Sequence, residues 1–305
     1  MKHPLLLCLL FLFSTQLLGQ EASRPVPLQI LCTTFPMHLF TRMIAEGRSG
    51  VEVRCMLPAN TGCPHDYALT PEDMRTLSQA NILITNGLGM ENFLGAAARQ
   101  ANPKLKIVDS SQGIKNLITL HEEDHAADAH HHDSAMNPHL FSSPRQAAQV
   151  VRNIAQALSE LDPDGATVYK ANAKKVAARF ESLAEEFAKS CAALPKKKIV
   201  IEHAVFDYLA RDAGLDIVAV VEEEPGQEPA ASEMLKIIAT IKKGGATALF
   251  TEPQYPAKVG ETIAREAKIP TASLDPVASG PKNAPLDYYE KAMRANLAVL
   301  QKFLK

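Results

Sequence analysis

The 305-residue sequence has no tryptophan and only 6% aromatic residues, so the large aromatic anchors that dominate tight protein interfaces are scarce. Charge of neither sign is in excess. Thirty-two basic side chains against 34 acidic ones leave a formal net charge of −2 and no basic patch, so a nucleic-acid partner is not expected. Past Leu18 no apolar run approaches the roughly 20 residues that a membrane-spanning helix needs. The run from Pro4 to Leu18 is itself too short and is interrupted by Ser14, Thr15 and Gln16. Lys2 and His3 precede it and the small residues Gly19 and Ala22 follow it, so residues 1–22 read as a cleaved secretory signal. No cysteine stands at the cleavage point, since Cys8 lies inside the run and Cys32 well beyond it. A soluble, periplasmic protein is therefore expected, without a lipid anchor.

Cysteine is sparse too. The mature chain keeps Cys32, Cys55, Cys63 and Cys191, which an oxidising compartment could pair in three ways. Cys32 and Cys55 fall on two candidate neighbouring strands and are the preferred pair.

What the chain does have is histidine, concentrated in one place. Six of its ten histidines lie between His121 and His139. Five of them, His121, His125, His130, His131 and His132, alternate with acids and alanines in a stretch that ends at Asp133. Neutral imidazole is the commonest ligand for borderline metals, and this is the composition of a metal-collecting loop rather than of a core. The stretch contains the letters of the H-E-x-x-H peptidase motif, which needs a stable helix to put both imidazoles on one face. With no apolar stripe to dock such a helix, the match is read as chance. Gly87-Leu-Gly-Met-Glu-Asn92 begins like a dinucleotide fingerprint, but Asn92 occupies the third glycine position, so a turn is expected instead.

Short apolar runs alternate with helical patterns through both halves, which implies parallel sheets. The first half reads as strands at 28–34, 51–56, 81–86 and 106–109, with helices at 36–46, 70–79 and 90–100. Thr70 is the expected N-cap of the second helix and Pro71 its first residue. A helix from Ser143 to Leu161 follows, and Asp162-Pro163-Asp164 is expected to stop it and cap the next. In that next helix Tyr169, Ala173, Val176, Phe180, Leu183, Phe187 and Cys191 form one apolar stripe. It would run on the order of 40 Å at 1.5 Å per residue. The second half then repeats the first, with strands at 198–202, 217–221, 246–251 and 271–274. The expected fold is α/β, with two Rossmann-like lobes (23–162 and 194–305) joined by a long rigid backbone helix (163–193).

In parallel sheets ligands bind beyond the carboxyl ends of the strands. His203 and Asp275 directly follow predicted strands, and His65 and His139 sit beside proline turns. Three imidazoles and one carboxylate, two from each half, suit a tetrahedral zinc site. His38, in Phe35-Pro-Met-His, is expected to be structural or near the cleft rim, and Glu252, which follows a strand, to line the cleft through hydrogen bonds or metal contact.

The same residues carry a resemblance. Cys63-Pro-His-Asp-Tyr-Ala-Leu-Thr-Pro71 resembles D-P-H-x-Y-E-P-T-P, and Asn137-Pro-His-Leu140 resembles N/D-P-H-x-W. Phe250-Thr-Glu-Pro-Gln-Tyr255 and Leu274-Asp-Pro276 are similar to F-x-E-P-Q-[FY] and L-D-P-[LV]. Together with 81–94 these blocks, in order from about Leu28 to Leu304, resemble the cluster A-I solute-binding proteins of metal ABC transporters, the TroA and ZnuA type. The resemblance implies a metal held between two lobes by His65, His139, His203 and Asp275, and delivery to a membrane ABC permease. His rather than Glu at 203, and a histidine-rich insert between the first two ligands, imply Zn²⁺ over Mn²⁺. Ala68, Leu69, Phe141 and Cys63 depart from the family pattern around the ligands without changing the four ligand types. A filled tetrahedron leaves no open position for water, so a monomeric carrier rather than an enzyme is expected. The alternatives are a manganese or iron carrier of the same class, and a periplasmic zinc hydrolase in which Asp275 does not reach the metal.

Overall fold

The computed structural model describes residues 27–61, 64, 67–120, 135–222 and 228–305. The expected signal (1–22) and Cys63 lie outside them. In the first half β1 (Leu28–Cys32), α1 (Phe35–Ala45), β2 (Val51–Cys55), α2 (Pro71–Gln79), β3 (Ile82–Thr85), α3 (Ala97–Ala101) and β4 (Lys106–Asp109) form a parallel sheet in the order β2-β1-β3-β4. Helices α4 (Pro144–Leu161) and α5 (Ala166–Ala192) follow. The second half carries β5 (Lys198–Ile201), α6 (Asp207–Ala213), β6 (Asp216–Val220), α7 (Ala231–Gly244), β7 (Ala248–Thr251), α8 (Lys258–Ala267), β8 (Thr271–Ser273) and α9 (Tyr288–Phe303). Its sheet is again parallel, in the order β6-β5-β7-β8. The two α/β lobes and the long helix are therefore as the sequence pattern implies.

Side chains of a strand alternate between faces, and the central strands divide them between two cores. Ile30, Ile82, Ile84, Ile199, Ile201 and Phe250 enter one core shared by both lobes. Leu31 and Leu83 enter a second, private to the first lobe, and Val200 and Leu249 a third, private to the second. The whole predicted stripe of α5 is buried in the shared core. This helix packs on α1 and α4 and also on α6 and α9, so it lies inside the common core rather than as a bare strut between complete lobes. A second tie runs back from the end of β8. Gly280 donates its N–H to Ala59 O (2.8 Å), Arg42 donates to Ala284 O (2.8 Å), and Tyr288 meets the ring of Phe35 edge-on.

Thr70 caps α2 as expected, in a capping box with Asp73. Three expectations are corrected. The helix at 90–100 breaks at Gly95, whose φ of +45° no continuous helix adopts, leaving a 3₁₀ turn at Asn92–Leu94 and the short α3. Asp162 does not cap the next helix through its side chain. Its carboxylate is taken by a bidentate pair from Arg48 (3.0 and 3.0 Å) and by the Tyr169 hydroxyl (2.6 Å). Cys32 and Cys55 do stand opposite each other on paired strands, but both thiols are free. Burial pushes Cys55 up to about 12 and Cys32 higher still, which suppresses the thiolate that disulfide exchange requires.

Candidate metal centre

Each strand of the second sheet ends in an acid or leads into one. Glu202 and His203 follow β5, Glu222 comes after β6, Glu252 follows β7 and Asp275 lies just past β8. Glu202, Glu222 and Glu252 are all buried. Burial pushes the carboxyl of Glu202 up to about 7, with the charges of Glu252 and Glu222 adding to it. Glu252 is raised by the same burial, against a lowering hydrogen bond from His203. Glu252 Oε1 meets His203 Nδ1 directly. Its Oε2 accepts from Gln254 Nε2 (2.7 Å), and its backbone N–H donates to Glu202 Oε2 (3.0 Å).

His139 comes from the first half of the chain, yet its turn is fastened to both lobes. Asn137 Oδ1 accepts the His139 backbone N–H (2.9 Å) and lies 2.8 Å from His139 Nδ1. Asn137 Nδ2 donates to Ala204 O (2.7 Å) and Asp207 Oδ2 (3.0 Å), and the Tyr208 hydroxyl donates to Asn137 O (2.8 Å). From the other side Asn86 Nδ2 donates to Pro138 O (2.8 Å). Glu91 holds that contact in place, because its oxygens accept from Asn86 N (2.7 Å), Gly87 N (3.0 Å) and Thr33 Oγ1 (2.7 Å). Gly87 makes the turn expected of it, at φ +89°; a Cβ there would fall 2.0 Å from Asp109 Oδ1.

The structure thus brings His139 and His203 together from opposite lobes. They are 3% and 2% exposed, and their ring centroids are 5.5 Å apart at 75°. Asp275 is close enough for its charge to raise Glu252. Its Oδ1 accepts from Val277 N (2.8 Å), a β-branched residue held at φ +64°, and its backbone is gripped by Asn296. Among the described residues no three His, Cys, Asp or Glu side chains converge closely enough to hold an ion. His65 lies outside those residues, as do His121, His125, His130, His131 and His132. The stem of the histidine-rich stretch is described, however. Leu120 N donates to Ala135 O (2.8 Å) and Asn137 N to Ile118 O (2.7 Å), so the two ends of the stretch meet beside the His139 turn.

The buried acids Glu202 and Glu222 and the clamp made by Asn137, Asp207 and Tyr208 were not identified from sequence. Their signals were position, Glu202 immediately before His203, and the Asn-Pro-His motif, which puts Asn137 two residues before His139 without showing what it holds. The arrangement as a whole is two buried imidazoles beside buried carboxyl groups, which favours a cation over an anion or a neutral solute.

Residues 30–303 match the family described as zinc-uptake complex component A, periplasmic (ZnuA). The chain belongs to this family. It is 28% identical over 261 residues to the high-affinity zinc uptake system protein ZnuA of Bacillus subtilis, a match that covers 84% of this chain and 81% of that protein. A crystal structure of ZnuA superposes with a TM-score of 0.76 at 29% identity, covering 92% of this chain and all of the other. The solute-binding protein FpvC of Pseudomonas aeruginosa, solved with Mn²⁺, superposes at 0.79 with 27% identity, covering 91% and 98%. Family members are solute-binding transport components rather than enzymes. No helix among the described residues is long and apolar enough to cross a membrane.

Proposed function

We propose that this protein captures Zn²⁺ between its two lobes and delivers it to a membrane ABC permease. It acts as a monomer exported by the signal at 1–22, with lobes at 23–162 and 194–305. The ligands in this reading are His65, His139, His203 and Asp275. The observation that carries it is the pairing of His139 with His203. Two imidazoles on one tetrahedral zinc, with Zn–N bonds of about 2.0–2.1 Å, place their ring centres roughly 5 Å apart. The observed separation is 5.5 Å, between rings from opposite lobes. The histidine-rich stretch, with its stem beside His139, serves as a weak collector that feeds the cleft.

The test is a competition titration of metal-free, untagged protein. Wild type binds one zinc tightly, His203→Ala loses that binding, and removal of residues 121–133 spares it. The reverse order would move the principal site to the histidine-rich stretch. Imidazole coordinates only when neutral, so affinity falls with acidity. A second reading, a manganese carrier, is favoured by the likeness to the manganese complex of FpvC. Nitrogen-rich ligand sets favour zinc, and the same titration with Mn²⁺ as competitor separates the two readings.

A further inference from the structure

We infer that Glu252 is the positioning residue for His203, fixing its proton on Nδ1 so that Nε2 is the coordinating atom. The inference rests on the zinc-carrier reading for its consequence but on geometry for its content. Imidazole presents a lone pair at only one nitrogen when neutral, and whichever nitrogen faces an acceptor keeps the proton. Glu252 Oε1 meets His203 Nδ1, and no other hydrogen-bond partner reaches the His203 ring nitrogens among the described residues. The carboxylate has little freedom to turn away. It is 1% exposed, Gln254 holds its second oxygen, and its backbone N–H is tied to Glu202. The ring is further confined edge-on by His139 and by Tyr255, whose centroid lies 5.9 Å away. The other imidazole is oriented by the same principle through a neutral group, with Asn137 Oδ1 beside His139 Nδ1. Within one site, therefore, an amide oxygen and a carboxylate do the same job. It follows that the acceptor at 252 matters more than its charge.

This gives an ordered test. In metal-free protein at mildly alkaline pH, the nitrogen chemical shifts of His203 report its tautomer. Wild type is expected to be the Nδ1–H form. Glu252→Ala is expected to shift His203 towards the Nε2–H form and to weaken zinc binding by about 10–100-fold, the usual cost of losing such a partner. Glu252→Gln, which keeps an acceptor oxygen and guards against a folding defect in the alanine variant, should hold the Nδ1–H form and bind within a few-fold of wild type. An unchanged tautomer in Glu252→Ala overturns the proposal, as does a Gln variant as impaired as the Ala variant. The tautomer is read without metal. Glu252's role is thus decided even if wild type fails to bind zinc, a failure that would count against the carrier reading alone.

Discussion

The two sheets share one strand order, but their carboxyl ends are finished differently. In the first lobe the strands lead into Thr33, Asn86 and Ser110, and the two acids there are supplied with donors: Asp109, the last residue of β4, accepts from the N–H and hydroxyl of Ser111, and Glu91 from a hydroxyl and two backbone N–H groups. In the second lobe the strands lead into Glu202, Glu222, Glu252 and Asp275; burial raises Glu202 and Glu252, and the charges of neighbouring acids add to it, Glu252 and Glu222 on Glu202, Glu222 and Asp275 on Glu252. Glu202 Oε1 has no hydrogen-bond partner among the described residues. The same scaffold thus supplies a satisfied anchor on one side and an electrostatically frustrated pocket on the other. Buried carboxylates without compensating donors are destabilising by themselves and become favourable when a cation enters. In the proposed reading the scaffold sets where a ligand sits, and the strand-end residues of the second lobe favour a metal there.

The sharpest way to break this comparison is to remove the anchor. Glu91→Ala leaves Asn86 N, Gly87 N and Thr33 Oγ1 without their acceptor and loosens the hold of Asn86 on the His139 turn. A loss of about 3 kcal/mol is expected in denaturant unfolding of the metal-free protein. A loss below about 1 kcal/mol would mean that the first lobe's strand ends are not held by this carboxylate.

How much of this was legible in the sequence follows from the range of the interactions. The strands, α4, α5 and the cap of α2 depend on periodicity and on neighbours a few residues away, and they were read correctly. Gly95 was passed over because an apolar helical pattern runs across it, and only its backbone angle shows that the helix ends there. Asp162 looks like a cap in its local context, but Arg48, which claims it, comes from the far side of the lobe in sequence. The site divides in the same way. His139, His203, Asp275 and Glu252 stood out as residues at strand ends and proline turns. That Asn137 reaches Ala204, and that Glu252 rather than Glu202 faces His203 Nδ1, are facts of tertiary approach with no local signature.

The comparison can be sharpened by locating the protein's acid sensitivity. His38 on α1 of the first lobe is lowered to about 4 by burial and by the charge of Arg42, against a hydrogen bond to the Val53 backbone. Its folded pKa lies below the unfolded value of 6.5, so the native state binds fewer protons between the two. The stabilising contribution is complete above 6.5 and is lost as pH falls towards 4. It amounts to on the order of 3 kcal/mol. Unfolding free energies of metal-free wild type and His38→Gln, measured across this range, should differ in slope. Parallel curves would remove His38, and with it the first lobe, as a source of acid lability.

The smallest effect has the opposite sign and bears most directly on the difference between the lobes. Glu202 Oε2 accepts the Glu252 backbone N–H, a role that an amide oxygen can fill, while its charge faces Glu252 and Glu222 at close range. Glu202→Gln keeps the acceptor and removes the repulsion. The metal-free protein should gain on the order of 1 kcal/mol at neutral pH. The same change takes negative charge from behind His203 and should weaken zinc binding by no more than the few-fold expected of Glu252→Gln, so stability and function move in opposite directions, as expected where a site is held under strain for its ligand. If Glu202→Gln instead destabilises the metal-free protein as Glu91→Ala is expected to do, then the acids of the second lobe are structural anchors like Glu91. The pocket would then not be waiting for a cation at all.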